Sequence, residues 1–274
     1  MHPVRWRPVL LAAAATAVAG AGVVLLVDLS RSALAAWRPA TCLPADCFCE
    51  AVRAEGPAQP VNTLTSLAYV LLGVWALAGG VRGSDLDRPT VLLMRAVGVA
   101  LVLLGLGSAL YHGTLTFAGQ VLDVQGMYLL GTLLVTGALV RRGSLTPRAA
   151  SWLLLVANAV LLATQVGWPD SRRVLFGLVL VPGIVLEALP TTTGRAWPVS
   201  ATTPFRVGLG LLAAAYLLWV LDATGVLCDP TSPWQGHGGW HVLTAASAVL
   251  VVAHYARSGA LLPPRRAGPN GSVD

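Results

Sequence analysis

The chain has 274 residues, of which 55% are apolar and only 11% charged, with a mean hydropathy of +0.71. A soluble domain carries about a quarter charged residues, so this composition sets a soluble domain aside and points to a multispanning membrane protein. The formal charge of +6 is carried by arginine alone, with no basic cluster interleaved with aromatics, which argues against a nucleic-acid partner.

A membrane-spanning helix needs about 20 mostly apolar residues. Eight segments fit that pattern, roughly 8–28, 63–81, 90–111, 120–140, 149–167, 174–189, 204–225 and 240–256. The sixth is short and contains Pro182 and Glu187. No repeat or low-complexity linker divides them, so the expectation is one all-α membrane domain. The first segment fits a signal anchor, but Ala33-Leu-Ala35 also fits a signal-peptide cleavage site. Its long apolar run favours the anchor. Beyond the last segment, residues 258–274 carry Pro263, Pro264 and a Gly-Pro-Asn-Gly run, the composition of a disordered tail.

With the N-terminus in the cytoplasm, twelve arginines fall in inner segments and five in outer ones, namely Arg31, Arg38, Arg53, Arg172 and Arg173. That bias supports the orientation. It places Cys42, Cys47, Cys49 and Cys228 on the outer side, where disulfides persist. Trp37, Trp168, Trp197, Trp234 and Trp240 flank spans and suit interfacial anchors.

Against this apolar background, five polar residues stand out at one depth, near the outer ends of their segments. Ser108 and His112 lie four apart on one face of the third segment, Asp123 opens the fourth, and His237 and His241 lie four apart at the start of the last. An i, i+4 histidine pair with a third histidine supplies three ligands to a tetrahedral zinc with one open position. Ionisable residues within a membrane domain are costly and mark function by default. A histidine there also serves simply to bond a neighbouring helix, which is the reading for His254. Asp222 lies deeper and suits a supporting hydrogen bond or a purely structural one.

Ser108-Ala-Leu-Tyr-His112, the eleven-residue gap to Asp123 and His237-Gly-Gly-Trp-His241-Val-Leu-Thr resemble the motifs of the alkaline ceramidase family. That family sits in a superfamily of seven-helix membrane hydrolases that also includes the progestin and adipoQ receptors. Asn62-Thr-Leu-Thr-Ser-Leu-Ala-Tyr resembles the family's first spanning helix, and Asp222 and Cys228 its penultimate one. The resemblance covers roughly residues 46–256 and implies a seven-helix domain over 41–257, with residues 1–40 an added anchor helix and loop.

The resemblance also implies roles. His112, His237 and His241 would bind zinc, Asp123 would orient the water or act as general base and then acid, and Ser108 would help hold the oxyanion. Cys49 would pair with Cys228; whether Cys42 and Cys47 pair separately or stay as thiols is left open, their four-residue gap being tight. Relatives carry an Asp-Trp-x-Glu-x-Asn run and a later Glu that serve calcium. Here the run is Cys47-Phe-Cys-Glu50-Ala-Val52, with Gln59 at the later acidic position. Only Glu50 matches, with Asp46 and Glu55 nearby, so calcium is doubtful.

The expected function is therefore a zinc-dependent amidase that splits a ceramide-like membrane lipid into a fatty acid and a sphingoid base, with no obligate protein partner. Two alternatives stay open: a seven-helix lipid receptor with structural zinc, and a hydrolase of a different amide or ester lipid. Arginine without lysine and abundant alanine suggest a GC-rich bacterial genome, hence a bacterial plasma membrane with the site near its extracytoplasmic face.

Overall fold

The computed structural model describes residues 6–43, 47–83, 86–189 and 199–258. Asp46, Trp197 and the tail from residue 259 onward lie outside those residues. Among the described residues the chain is helical, with a single isolated bridge between Pro39 and Thr116. The helices are α1 (Trp6–Leu34), α2 (Pro60–Leu77), α3 (Arg88–Thr114), α4 (Phe117–Arg141), α5 (Pro147–Gly167), α6 (Arg172–Ala188), α7 (Val199–Ala223) and α8 (Gly236–Ser258), with a 3₁₀ turn at Pro169–Ser171.

Local chemistry sets several boundaries. Asp87, Thr116 and Thr146 cap α3, α4 and α5 by accepting the backbone N–H of Thr90, Gly119 and Ala149. Pro60, Pro89 and Pro147 occupy first-turn positions, where a missing N–H costs nothing. The second span begins and ends earlier than its apolar run suggests, because Pro60 starts it and Gly79, at φ +85°, turns the chain away.

Seven of these helices are long and apolar enough to cross a membrane: all except α6. With 17 residues and an internal Pro182, α6 falls just short. The tight centre comprises α2, α3, α4 and α8. Tyr69, Leu101, Leu104, Leu133, Ala245 and Val252 close it. On one side α1 lies against α2 through Val23, Val27 and Leu67, and its other faces are exposed.

Outside that centre, polar contacts do much of the joining. A ladder ties α5 to α4: Gln165 Nε2 donates to Gln125 Oε1, Gln125 Nε2 to Asn158 Oδ1, and Asn158 Nδ2 to Thr132 Oγ1, at 2.8–2.9 Å. The helix buries only Ala150, Leu161 and Gln165, so the ladder is its main specific attachment. Hydrogen bonds between membrane helices contribute about 0.6–2 kcal/mol each. Asn158→Leu should therefore lower the detergent melting temperature by several degrees and expose α5 to proteolysis; an unchanged melting curve would show apolar packing to be sufficient.

At the end of the bundle away from the α3–α4 turn, Glu187 of α6 gathers three partners. Arg141 Nε lies 3.1 Å from its carboxylate, His254 Nε2 2.9 Å, and the Tyr255 hydroxyl donates across 3.1 Å. His254 Nδ1 faces the Ala201 carbonyl of α7 at 2.8 Å. This buried cluster joins α4, α6, α7 and α8, so His254 is committed to packing.

Candidate metal centre

The site lies at the opposite end, where α3 turns into α4 and α8 begins. The α3–α4 turn is pinned by the segment before it. Ala40 N–H donates to Leu115 O, Phe117 N–H to Arg38 O, and Thr41 N–H to the Gln120 side chain, all at 2.8 Å. Close approach of α3 to α4 depends on Gly107: a Cβ there would stand 2.8–3.0 Å from the backbone of Leu122 and Asp123. Absence of that carbon lets the helices touch beside Ser108 and Asp123.

His112, His237 and His241 are all buried, and a ligand nitrogen from each lies within 4.8 Å of the other two. Among the described residues they form the one group of three or more metal-ligating side chains.

Hydrogen bonds behind two of the rings set which nitrogen faces inward. Gln59 Nε2 donates to the Glu50 carbonyl at 3.0 Å, so Gln59 Oε1 must accept from His112 Nδ1 at 2.9 Å. His112 Nε2 is then a bare lone pair. The Thr65 hydroxyl gives its proton to Val61 O at 2.8 Å, so its oxygen accepts from His241 Nδ1 at 3.1 Å, and Nε2 again faces inward. His237 Nε2 lies 3.2 Å from His112 Nε2, while His237 Nδ1 is buried without a partner. Nitrogen bonds of 2.0–2.1 Å in a tetrahedral site put two ligand nitrogens about 3.3 Å apart. The residues present therefore fit a metal ion.

Around the histidines, the Ser66 and Ser108 hydroxyl oxygens lie 3.0 Å apart, with Ser66 giving its proton to Asn62 O at 2.7 Å, and Ser108 Oγ lies 3.4 Å from His241 Nε2. Phe48 stacks on His237 with ring centroids 3.7 Å apart, covering the cluster from the loop. Asp222, at the end of α7, accepts the N–H of His237 at 3.0 Å and of Cys49 at 3.1 Å, which fixes the start of α8 against that loop. Cys49 is bonded to Cys228, and Cys42 to Cys47.

Glu50, the residue offered to calcium, has both carboxylate oxygens on the first turn of α2, accepting Val61 N–H at 2.7 Å and Asn62 N–H at 2.8 Å. Burial pushes its carboxyl upward from the ordinary range, and those two donors pull it back. Its role here is to anchor the helix that carries Thr65 and Ser66. Trp240 also departs from expectation. It is only 8% exposed and faces inward between His237 and His241, because the α8 face that bears the histidines turns away from lipid.

Two cavities share Tyr69, Leu104, Met127, Phe176 and Trp240, so they form one cleft. The upper part touches Asp123, His237 and His241; the lower part is apolar and ends at Ile184, Phe205 and Tyr255. From His241 to Tyr255 the helical rise gives about 21 Å, against about 15 Å for half of a bilayer core.

A sequence model of the ceramidase family matches residues 48–263. The chain belongs to the ceramidase family. Among its ceramidase relatives, the alkaline ceramidase of Drosophila melanogaster is 26% identical over 227 residues, covering 76% of this chain and 75% of that protein. The Dictyostelium discoideum protein dcd3B, provisionally named an alkaline ceramidase, is 23% identical over 228 residues, covering 72% and 79%. The ceramidase match begins at Phe48, the residue stacked on His237, and contains every residue of the histidine site.

Gln59, Thr65, Ser66 and Phe48 are the site residues that sequence reasoning left without roles. A signal existed for two of them: Asn62, Thr65, Ser66 and Tyr69 make a polar stripe at helical spacing on an apolar helix. Partners behind a metal-bound histidine usually affect affinity 10–100-fold. Gln59→Met should weaken metal binding by about that factor while leaving the helical circular dichroism intact; unchanged affinity in a chelator competition would remove Gln59 from the site.

Proposed function

We propose that this protein is a zinc-dependent membrane amidase that hydrolyses the N-acyl bond of a ceramide-like lipid, giving a fatty acid and an amine. The observation that carries this reading is the buried three-histidine group with Asp123 and Ser108 beside it, at the head of an apolar cleft, in a chain of the ceramidase family. A structural zinc would need neither the carboxylate nor the hydroxyl.

A zinc ion held by His112, His237 and His241 would supply Lewis-acid polarisation and lower the pKa of a water to about 7. Asp123 takes the proton released as water adds to the amide carbon and delivers it to the nitrogen as the C–N bond breaks. The Ser108 hydroxyl, beside the histidines, would donate to a carbonyl oxygen gaining charge. The apolar lower cleft suits an acyl chain longer than one leaflet half. On its flank α6 packs on α4 and α7 on α8, with little contact between α6 and α7, which suits entry from lipid.

In this reading α2–α8 make the seven-helix domain over 41–257, and α1, which precedes the matched region, is an added anchor within 1–40. The arginine bias puts the site near the extracytoplasmic face. The deciding experiment is incubation of the purified protein with a panel of N-acylated lipids and mass spectrometry of released fatty acid. Release that disappears with chelator supports the amidase; zinc bound without release from any lipid favours the receptor reading.

A further inference from the structure

The upper cleft carries a second chemical feature, separate from the histidines. Arg172 and Arg173, the first two residues of α6, both line it together with His237 and His241. The Tyr128 hydroxyl donates to Arg172 O at 3.1 Å and holds this end of α6 in place. Arg172 is half-buried and steadied by its own turn: its Nη1 donates to Pro169 O at 3.0 Å, and a highly exposed Asp170 lies 3.7 Å away. Arg173 has no carboxylate partner among the described residues; its guanidinium lies over the Trp219 ring, 5.1 Å from the centroid.

Among the described residues, the only acidic side chain lining this chamber is Asp123. Two guanidiniums thus line the chamber that holds Asp123, His237 and His241, one with a weak surface partner and one with no carboxylate partner among the described residues. A neutral diol head group gives such a pair nothing to neutralise, whereas a carboxylate or phosphate takes paired N–H donors from guanidinium.

We infer that the lipid accepted by this cleft bears an anionic group, carboxylate or phosphate, on the amine side of its N-acyl bond, held by Arg172 and Arg173. This rests on the amidase reading for its chemistry, but its binding part is independent of turnover. The acyl chain would lie down the apolar cleft, leaving the charged end at the mouth beside α6.

The test uses the full-length protein in a neutral detergent with three lipids of equal acyl length: neutral ceramide, ceramide 1-phosphate and an N-acyl amino acid. Binding is read by native mass spectrometry and hydrolysis by fatty-acid release, in wild type, Arg172→Gln, Arg173→Gln and the double variant. At least one anionic lipid should bind about tenfold or more tightly than ceramide, the scale of one charge-assisted contact. That preference should shrink in each single variant and vanish in the double. The two anionic lipids separate phosphate from carboxylate recognition.

Equal binding of all three lipids, or a preference untouched in the double variant, overturns the inference and leaves the amidase intact if ceramide is hydrolysed. Arginine-dependent binding without release of fatty acid from any lipid does the reverse: the anionic head group stands and the amidase falls. Should the double variant fold poorly, the single Arg173→Gln variant decides, since that side chain is exposed and makes no hydrogen bond among the described residues.

Discussion

Replacing either His112 or His241 by alanine should empty the site of metal and abolish fatty-acid release. Wild-type protein should carry about one zinc per chain, the stoichiometry of one three-histidine group. The two residues come from α3 and α8, and each ring is already oriented by a partner on the opposite nitrogen, Gln59 for one and Thr65 for the other. Loss of one of three protein ligands leaves two, too few for a stable catalytic zinc site. Lewis-acid assistance and the acidified water vanish together, so activity should fall to background rather than to a fraction.

His254→Ala supplies the contrast. That histidine is also buried on α8, but it bonds Glu187 and Ala201 at the other end of the helix. Removing one partner of a buried polar cluster costs about 3–5 kcal/mol. The His254 variant should therefore melt earlier while keeping its zinc. Zinc lost equally from all three variants would mean that unfolding, and not ligation, explains the loss. Zinc retained in both His112→Ala and His241→Ala would show that these side chains do not hold it.

Much of this could be anticipated from the chain because lipid imposes a simple rule: polar side chains are expensive there, so those present have jobs. Ser108, His112, Asp123, His237 and His241 stood out against leucine, valine and alanine, and folding brings them to one end of the bundle. Helix α6 was the hardest to place, for a physical reason: it has 17 residues, an internal proline and a buried Glu187 that breaks the apolar pattern.

What stayed hidden depends on contacts between distant parts of the chain. Gln59 meets His112 across 53 residues, and Thr65 meets His241 across 176. Neither spacing follows a helical period, so no local pattern announces the pair. Phe48 and Trp240 were hidden differently. An aromatic residue near a membrane boundary suits the interface, yet here one stacks on a histidine and the other lines the cleft. Glu50 shows the same limit: its carboxylate suggested a cation, but its partners are the backbone N–H groups that open α2.

Asp123→Asn should keep the zinc and lose the reaction. The carboxylate lines the chamber with His237 and His241 but does not belong to the three-histidine group, so the ligand set is unchanged. Asparagine preserves the size of the side chain, so the α3–α4 contact at Gly107 should be undisturbed. It cannot take a proton. General acid–base catalysis contributes about 10²–10⁴-fold, and Asp123 would serve twice, first toward water and then toward the leaving amine. The fall in kcat should therefore lie at the upper end of that range, with lipid binding near the wild-type value. A variant that loses zinc as well would make Asp123 a support of the metal and not a proton carrier. Full turnover with zinc in place would pass the proton transfers to another group.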